Sequence, residues 1–574
     1  MKKLLLSLSV MALALLTNGQ SLIVLEGVQT SNRVLTPDNC YLLRSCYTVA
    51  SGATLRILPG TTILGEKATK GSLIISRGAK IDAQGTVANP IVFTSDQPAG
   101  LRAPGDWGGI IIAGYAPNNQ PGCTFPVEGP CTPILAGGDD CDDNSGKLTY
   151  TQIHYAGIPF SPDNEINSLT LASVGRGTEI HHIQVTHAND DAYEWFGGCV
   201  NSKYLIAWRT RDDDFDTDFG YIGKNQFGVA LRDPAYHDVS GSNGFESDNY
   251  NPGTPVLTNE CGGSITRPVF SNYSIYGPLT CNPATELHDD WNKGGNGGNG
   301  AHIRRNSALN VFNSVFAGWR VGLYLQGYTA ANSGTVDHAN VTGLLNAEFN
   351  SLAGNTNNLN TNVTWTAPCA NNIADWFFGV PACGERQNFD LGGVANLGLV
   401  DLCVADCNIP DFLINSTSPL RNTANWTPAD LAYSDSFGWE FDNVAYRGAF
   451  GQTEDWTLGW TDWCPQWTEY PCGSTLRGTG LRLGSAESAI EISGIMVVPN
   501  PSDNLTRVDF SLDQSSDVDV VVIDMKGAVV NRVAQGQYSA GVHSVMFDAS
   551  SLVPGSYLVR VQSASGVQTS HFTR

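Results

Sequence analysis

Lysine and arginine are scarce in this chain: 32 of them stand against 55 aspartates and glutamates over 574 residues, a formal net charge of −23. That deficit argues against nucleic acid or an anionic membrane surface as partner, and favours cations or a solvated exterior. After Leu16 no apolar run reaches the length of a membrane span, so no transmembrane segment is expected once a leader is removed. Strong helical periodicity is missing. So are paired CxxC zinc patterns, an EF-hand loop and the Gly-x-Gly-x-Asp nonapeptide of calcium-binding β-rolls.

What is present points to export. Lys2 and Lys3 precede an apolar run from Leu4 to Leu16 and a polar stretch from Thr17 to Gln20, the pattern of a secretory signal peptide over residues 1–19. No cysteine stands at the start of the mature chain, which disfavours a lipoprotein anchor. All 14 cysteines lie between Cys40 and Cys472, an even count that predicts disulfides in an oxidising compartment. Short spacings suggest Cys40–Cys46, Cys261–Cys281, Cys369–Cys383, Cys403–Cys407 and Cys464–Cys472 as local staples, although connectivity does not follow from spacing.

The last eighty or so residues read as a separate module. Alternating apolar positions (Val508, Phe510, Leu512; Val518, Val520, Val522; Tyr557, Val559, Val561) are broken by turns at Lys526-Gly527 and Pro554-Gly555, the period-two signature of a small β-sandwich over 495–574. A Ser/Gly/Ala/Glu-rich linker is expected at 485–494. The order PNP, then V-x-V-V-V-I-D-M-K-G, then L-V-P-G-S-Y-L-V and a short basic end resembles the type A sorting domain of Bacteroidota type IX secretion. That resemblance implies handling by the type IX secretion machinery and a secreted or cell-surface location outside the outer membrane, reached through the periplasm.

Residues 20–484 are too many for one compact core but suit an elongated repeat fold. Short apolar steps at Leu55/Ile57, Ile63, Leu73/Ile75, Ile81 and Ile91/Phe93 are separated by PGT and QGT turns, as stacked coils require. The segment resembles the first coils of right-handed parallel β-helix proteins exported by the same bacterial group. Further on, His182–Gly198 aligns with Tyr204–Gly220 at a shift of 22, which puts Ile183 on Leu205, Tyr193 on Phe215 and Glu194 on Asp216. A further 22 from Leu205 reaches Phe227. The fold class expected is all-β: a parallel β-helix with loop insertions, including a Gly-rich loop at 294–300 and an Asn/Thr loop at 355–364, followed by the sandwich.

The repeat stacks acids. Asp190, Asp191, Glu194, Asp212, Asp213, Asp214, Asp216 and Asp218 would form a ladder, with Glu246 and Asp248 extending it by one coil. Like charges about 5 Å apart repel by about 3 kcal/mol at an effective dielectric of about 20, so the ladder needs solvent, arginine or a divalent cation such as Ca²⁺. Arg304 and Arg305 would clamp a sugar carboxylate or neutralise the edge. Trp456 and Trp460, in a Trp-rich tail, offer sugar platforms or close the end of the β-helix. His181, His182 and His187 make a weak metal site, since 181 and 182 point to opposite faces of a strand. Three functions stay open: binding or adhesion to an extracellular polysaccharide, a polysaccharide lyase or hydrolase on the acidic edge, and a surface-layer component. The Asn-Thr-Asp, Gly-His-Gly and Arg-Ile-Lys signatures of polygalacturonase-like enzymes are absent.

Overall fold

A computed structural model describes residues 21–470 and 492–574, apart from 130–133, 161–165, 250–258, 282–286, 292–296, 328–333, 367–368, 404–406, 499–504, 513–514, 525–527, 540 and 564–565. The expected signal peptide and most of the expected linker lie outside the described residues. Parallel strands dominate, and each pairs with the equivalent strand one coil away. In one sheet Ile63, Phe93, Ile153, Val185, Ala207, Ala230, Ile275, Phe316 and Leu352 succeed one another in register. In another the row runs Leu73, Ile110, Leu169, Tyr193, Phe215, Phe245, Ala301 and Leu323. These side chains are all buried, so the stacking of one inward apolar residue per coil in each row is what builds the core. Tyr193 and Phe215 stack with ring centroids 5.4 Å apart.

We call the three sheets first, second and third by the order in which a coil visits them. The first holds Lys80–Gln84 and the N-terminal half of Gly146–His154; the second holds Ile91–Ser95 and the C-terminal half of that strand; the third holds Leu169–Ala172 and Tyr193–Phe196. The first turns into the second at residues with positive φ: Tyr150, His182, Tyr204, Phe227, Asn272, Asn313 and Phe349. A left-handed conformation costs a non-glycine residue about 1–2 kcal/mol. Stacking offsets part of it, at about 0.5–1.5 kcal/mol per aromatic pair. Tyr150, His182, Tyr204 and Phe227 form a column with centroid separations of 4.3, 4.3 and 5.0 Å. Phe227 therefore stands opposite Tyr204, and Gly228 opposite Leu205, because that coil is one residue longer than the sequence shift of 22 implies.

Asparagine supports the other corners. Asn350 Oδ1 accepts the Ser314 N–H at 3.0 Å and Asn388 Oδ1 the Asn350 N–H at 2.6 Å. Asn299–Ile303 and Asn357–Thr361 are strands, so the two tracts expected as loops are partly built into the solenoid. The last coil is closed by the helix Ile373–Phe378, whose Trp376 and Phe377 bury against Trp365, with Cys369–Cys383 behind them.

The chain then turns back. Residues 411–470 form a strap along the outer face of the second sheet, towards the first coils. Asn313 donates to the Asn425 carbonyl, Asn272 to Tyr446, Gln226 to Asp442, Gln184 to Asp462 and Gln152 to Trp460. Arg102 donates to the Thr468 carbonyl at 2.9 Å. Phe412, Phe450, Trp460 and Trp463 bury there against Ile206, Trp208, Val229 and Val315. The Trp-rich tail thus covers a side of the solenoid and does not cap its end. Disulfides follow this path: Cys281–Cys403 anchors the segment that precedes the strap to a coil insertion, Cys407–Cys464 ties that segment to the strap, and Cys123–Cys261 and Cys141–Cys199 join distant coils. Of the expected pairs, Cys369–Cys383 is found; Cys261–Cys281, Cys403–Cys407 and Cys464–Cys472 are not, because neighbours in a coil insertion are not neighbours across coils. Cys40 and Cys46 are both disulfide-bonded, and Cys472 lies outside the described residues.

The C-terminal module has a sheet of Ile492–Val498, Leu505–Leu512 and Gly541–Asp548, and a second of Val529–Tyr538, Ser516–Asp524, Ser556–Ser563 and Gly566–Thr573. Val508, Phe510, Val520, Val522, Val559 and Phe572 form its core. Its first strand begins inside the stretch expected as linker.

Candidate functional site

The acids of the repeat separate into three groups once placed. Glu194, Asp216 and Glu246 occupy one outward row of the third sheet, in register on Tyr193–Phe196, Phe215–Asp218 and Phe245–Ser247. His302 and Tyr324 continue it, their rings stacked at 4.8 Å. Carboxylate oxygens of Asp191, Glu194 and Asp216 lie within 4.8 Å of one another, as do those of Asp190, Asp191 and Asp212. Asp218 is one step along the strand, with Oδ1 accepting the Phe219 N–H at 2.6 Å.

The second group is structural. Asp191 Oδ1 accepts the Asp213 N–H at 2.9 Å, Asp213 Oδ1 the Asn243 N–H at 2.5 Å, and Asn243 Oδ1 the Asn299 N–H at 3.2 Å. This is an asparagine-type corner ladder in which two rungs are aspartates. Asp214 points into the core, where it pairs with Arg232 at 2.8 Å, both side chains fully buried. Asp213 and Asp214 therefore leave the expected cation set.

The third group pairs with arginine. Arg304 binds Asp248 at 2.8 Å and also Glu246, and Arg305 binds Asp248 at 2.6 Å. These two arginines neutralise one end of the row and are committed there.

Burial pushes the carboxyls of Asp191, Glu194, Asp216 and Asp218 well above the usual range, and neighbouring acids add to it. Asp212 is pushed up to about 8 by burial and then by Asp238. For Glu246 burial acts upward, but Arg304 and the His302 contact outweigh it and hold the group down to about 2. The row therefore has one end that retains its charge and another that favours a proton or a cation. Asp216 Oδ1 is buried and, among the described residues, has no hydrogen-bond partner. An all-oxygen set this close suits a hard cation such as Ca²⁺.

Trp460 is 1% exposed and Trp456 half-buried, with their indole N–H groups given to the Trp456 and Ala449 carbonyls. Both belong to the strap interface: Trp460 is enclosed and offers no sugar platform, and Trp456 gives one face to Phe450, stacked at 5.1 Å. A platform exists elsewhere. A cleft of about 590 Å³ opens between the outer face of the first sheet and the strap's Ser434–Glu440 turn, walled by Tyr204, Phe437 and Trp439. Phe437 is 51% exposed, and the Trp439 Nε1 finds no partner among the described residues. Its polar lining holds Asn144, Thr178 and Asn201 together with ion pairs: Lys147–Glu179 at 2.7 Å, His181–Glu179 at 3.1 Å, Lys203–Asp442 at 2.6 Å and Arg176–Asp142. Sequence reasoning missed this site, whose walls lie more than 230 residues apart in the chain; the Asn201–Asp435 contact, for example, spans 234. The one signal available was aromatic residues at Phe437 and Trp439 beside glycine.

Residues 27–377 match the pectate-lyase-like β-helix domain, and the chain belongs to that family. Residues 496–573 match the secretion system C-terminal sorting domain, which makes the protein a type IX secretion cargo. The crystal structure of the Dettilon tailspike protein (gp208) is similar over 94% of this chain and 88% of that one, at 10% identity and a TM-score of 0.18, too low to carry an argument. No curated protein matches the chain. No helix among the described residues is long and apolar enough to cross a membrane.

Proposed function

We propose that this exported β-helix protein binds a neutral extracellular glycan in the cleft at Tyr204, Phe437 and Trp439, and that the acidic row takes Ca²⁺. The cleft carries the reading. Phe437, 51% exposed, offers a ring face that suits the C–H face of a sugar, whereas Tyr204, stacked between His182 and Phe227, lines the cleft with its edge and Trp439 has the Lys203 ammonium over its ring. Each cation on its rim already has a carboxylate partner, so the lining presents donors and acceptors to hydroxyls without a net field for an acidic sugar. Binding to a glycan panel, followed by calorimetry on the best ligand, tests it. F437A and W439A should each weaken binding by about tenfold, the loss of about 1.4 kcal/mol of ring contact. No binding across the panel, with folding confirmed, would move the protein to a purely architectural role at the surface.

A second reading is favoured by one observation. Glu246 is held low and Asp216 pushed high on adjacent strands, the split that separates a base from an acid. Adjacent coils put them about 5 Å apart, near the spacing of a retaining glycosidase pair. D216N decides between the two. In a calcium-stabilised binder it lowers the melting temperature in Ca²⁺ and shrinks the gap between calcium and chelator. In an enzyme it abolishes release of reducing or unsaturated ends from a polysaccharide panel.

A further inference from the structure

We propose that His237, His288 and Asp290 form a second, chemically distinct metal site, of the imidazole–carboxylate type that Zn²⁺ favours, which clips two neighbouring coil insertions together. His237 sits in the insertion between Lys224–Leu231 and Phe245–Ser247. His288 and Asp290 sit in the next one, between Val269–Tyr276 and Asn299–Ile303. One ligand atom from each of the three lies within 4.8 Å of the other two. Asp290 Oδ2 is 3.0 Å from His288 Nδ1 and 3.7 Å from His237 Nδ1. A tetrahedral ion with ligands at about 2.0–2.1 Å needs ligand atoms about 3.4 Å apart, midway between those two distances.

The two imidazoles are stacked, with centroids 4.6 Å apart and planes 9° from parallel, so the exposed His288 ring must turn, giving up the Asp290 N–H that its Nδ1 accepts at 3.3 Å, to bring both rings onto one ion. Nothing among the described residues gives the buried His237 Nδ1 a hydrogen bond. Both loops are anchored next to the site. The His237 carbonyl accepts from Arg211 Nε at 3.2 Å. Trp291, 1% exposed, donates its indole N–H to the Pro234 carbonyl at 3.1 Å, which ties the second loop to the first. Two imidazoles and one carboxylate select a borderline ion such as Zn²⁺ over Ca²⁺, whereas the acidic row offers oxygen only. With three protein ligands, the fourth position is left to water.

The experiment is a competition titration of untagged full-length protein with Zn²⁺ against a chromophoric chelator, in excess Ca²⁺. One Zn²⁺ per chain is expected to bind with an affinity that H288A and H237A each lower by about tenfold or more. H181A, in the other histidine pair, should leave it unchanged. His288 is 61% exposed, so its replacement should not disturb folding. As a second readout, Zn²⁺ should slow proteolysis within residues 232–242 and 279–298 of the wild type and not of H288A. Wild-type affinity in H288A, or no zinc bound by the wild type, would overturn the proposal.

Discussion

His154 is fully buried on the outer face of the second sheet, beneath the strap, with Nδ1 2.6 Å from Thr186 Oγ1 and Nε2 3.1 Å from Gln152 Oε1. Burial lowers its pKa to about 4, with Arg102 also acting downward and Asp462 opposing. In the unfolded chain it titrates near about 6.5. The unfolded state therefore binds the proton first, so the stability due to neutral His154 is complete above about pH 6.5 and is lost as pH falls towards about 4, at about 1.4 kcal/mol per unit. H154Q removes that titration. Its unfolding midpoint in urea should lie furthest below wild type at pH 7 and approach it by pH 5; a gap independent of pH would show that the histidine does not titrate this way. The same scale shows what an acidic repeat conceals. Asp191, Asp213 and Glu194 look alike in sequence, yet the first two use a carboxylate oxygen to hold the next coil's N–H and the third stands in the outward row. Asp214 is enclosed with Arg232. A shift of 22 aligns such residues but does not say which way each side chain points, because corner residues escape the strand alternation on which that inference rests.

At the scale of the element, the strap is the part that periodicity could not reveal. The early coils were legible because each apolar step recurs between turn residues, and Leu55, Ile63, Leu73, Ile81 and Phe93 are buried strand positions as expected. Residues 411–470 have no repeat of their own. Their partners lie 278 residues away for Gln184 with Asp462 and 366 for Arg102 with Thr468, and local patterning carries no trace of such pairings. The strap matters energetically because it covers apolar side chains on the outside of the second sheet, where a β-helix coil would otherwise present Ile206, Val229 and Val315 to water. Trp460 is its central anchor. W460A should cost about 3–5 kcal/mol, the usual range for a buried tryptophan, and limited proteolysis should cut within 411–470 at denaturant concentrations the wild type resists. F437A, at an exposed position of the same strap, should leave stability within about 0.5 kcal/mol. Equal susceptibility of W460A and wild type would mean that the Cys407–Cys464 disulfide and the hydrogen bonds along the second sheet hold the strap without its core.

At the scale of the whole molecule, the chain combines a module that stacks residues along one axis with a module that closes a small sandwich, and their hydrophobic cores share no residue. The division was legible at both ends of the sequence because each module has its own period: roughly one coil in the first, two residues in the second. Where the sandwich begins was less so, since Ile492–Val498 lacks the clean apolar alternation of Ser516–Asp524 and Ser556–Ser563. Separate cores lead to a prediction that distinguishes folding from address. Among the described residues, no core cluster of the β-helix includes a residue of 492–574, so a chain ending at residue 491 should fold with the melting temperature and glycan binding of the full-length protein. It also loses the whole sorting domain, so in its host it should accumulate in the periplasm instead of reaching the surface or medium. Cell fractionation and protease shaving of intact cells measure the second outcome, and thermal unfolding of the purified fragment the first. Surface delivery of the shortened chain would remove the sorting role from residues 492–574; retention together with a lowered melting temperature would mean that the sandwich also supports the solenoid, and the two modules would then have to be treated as one folding unit.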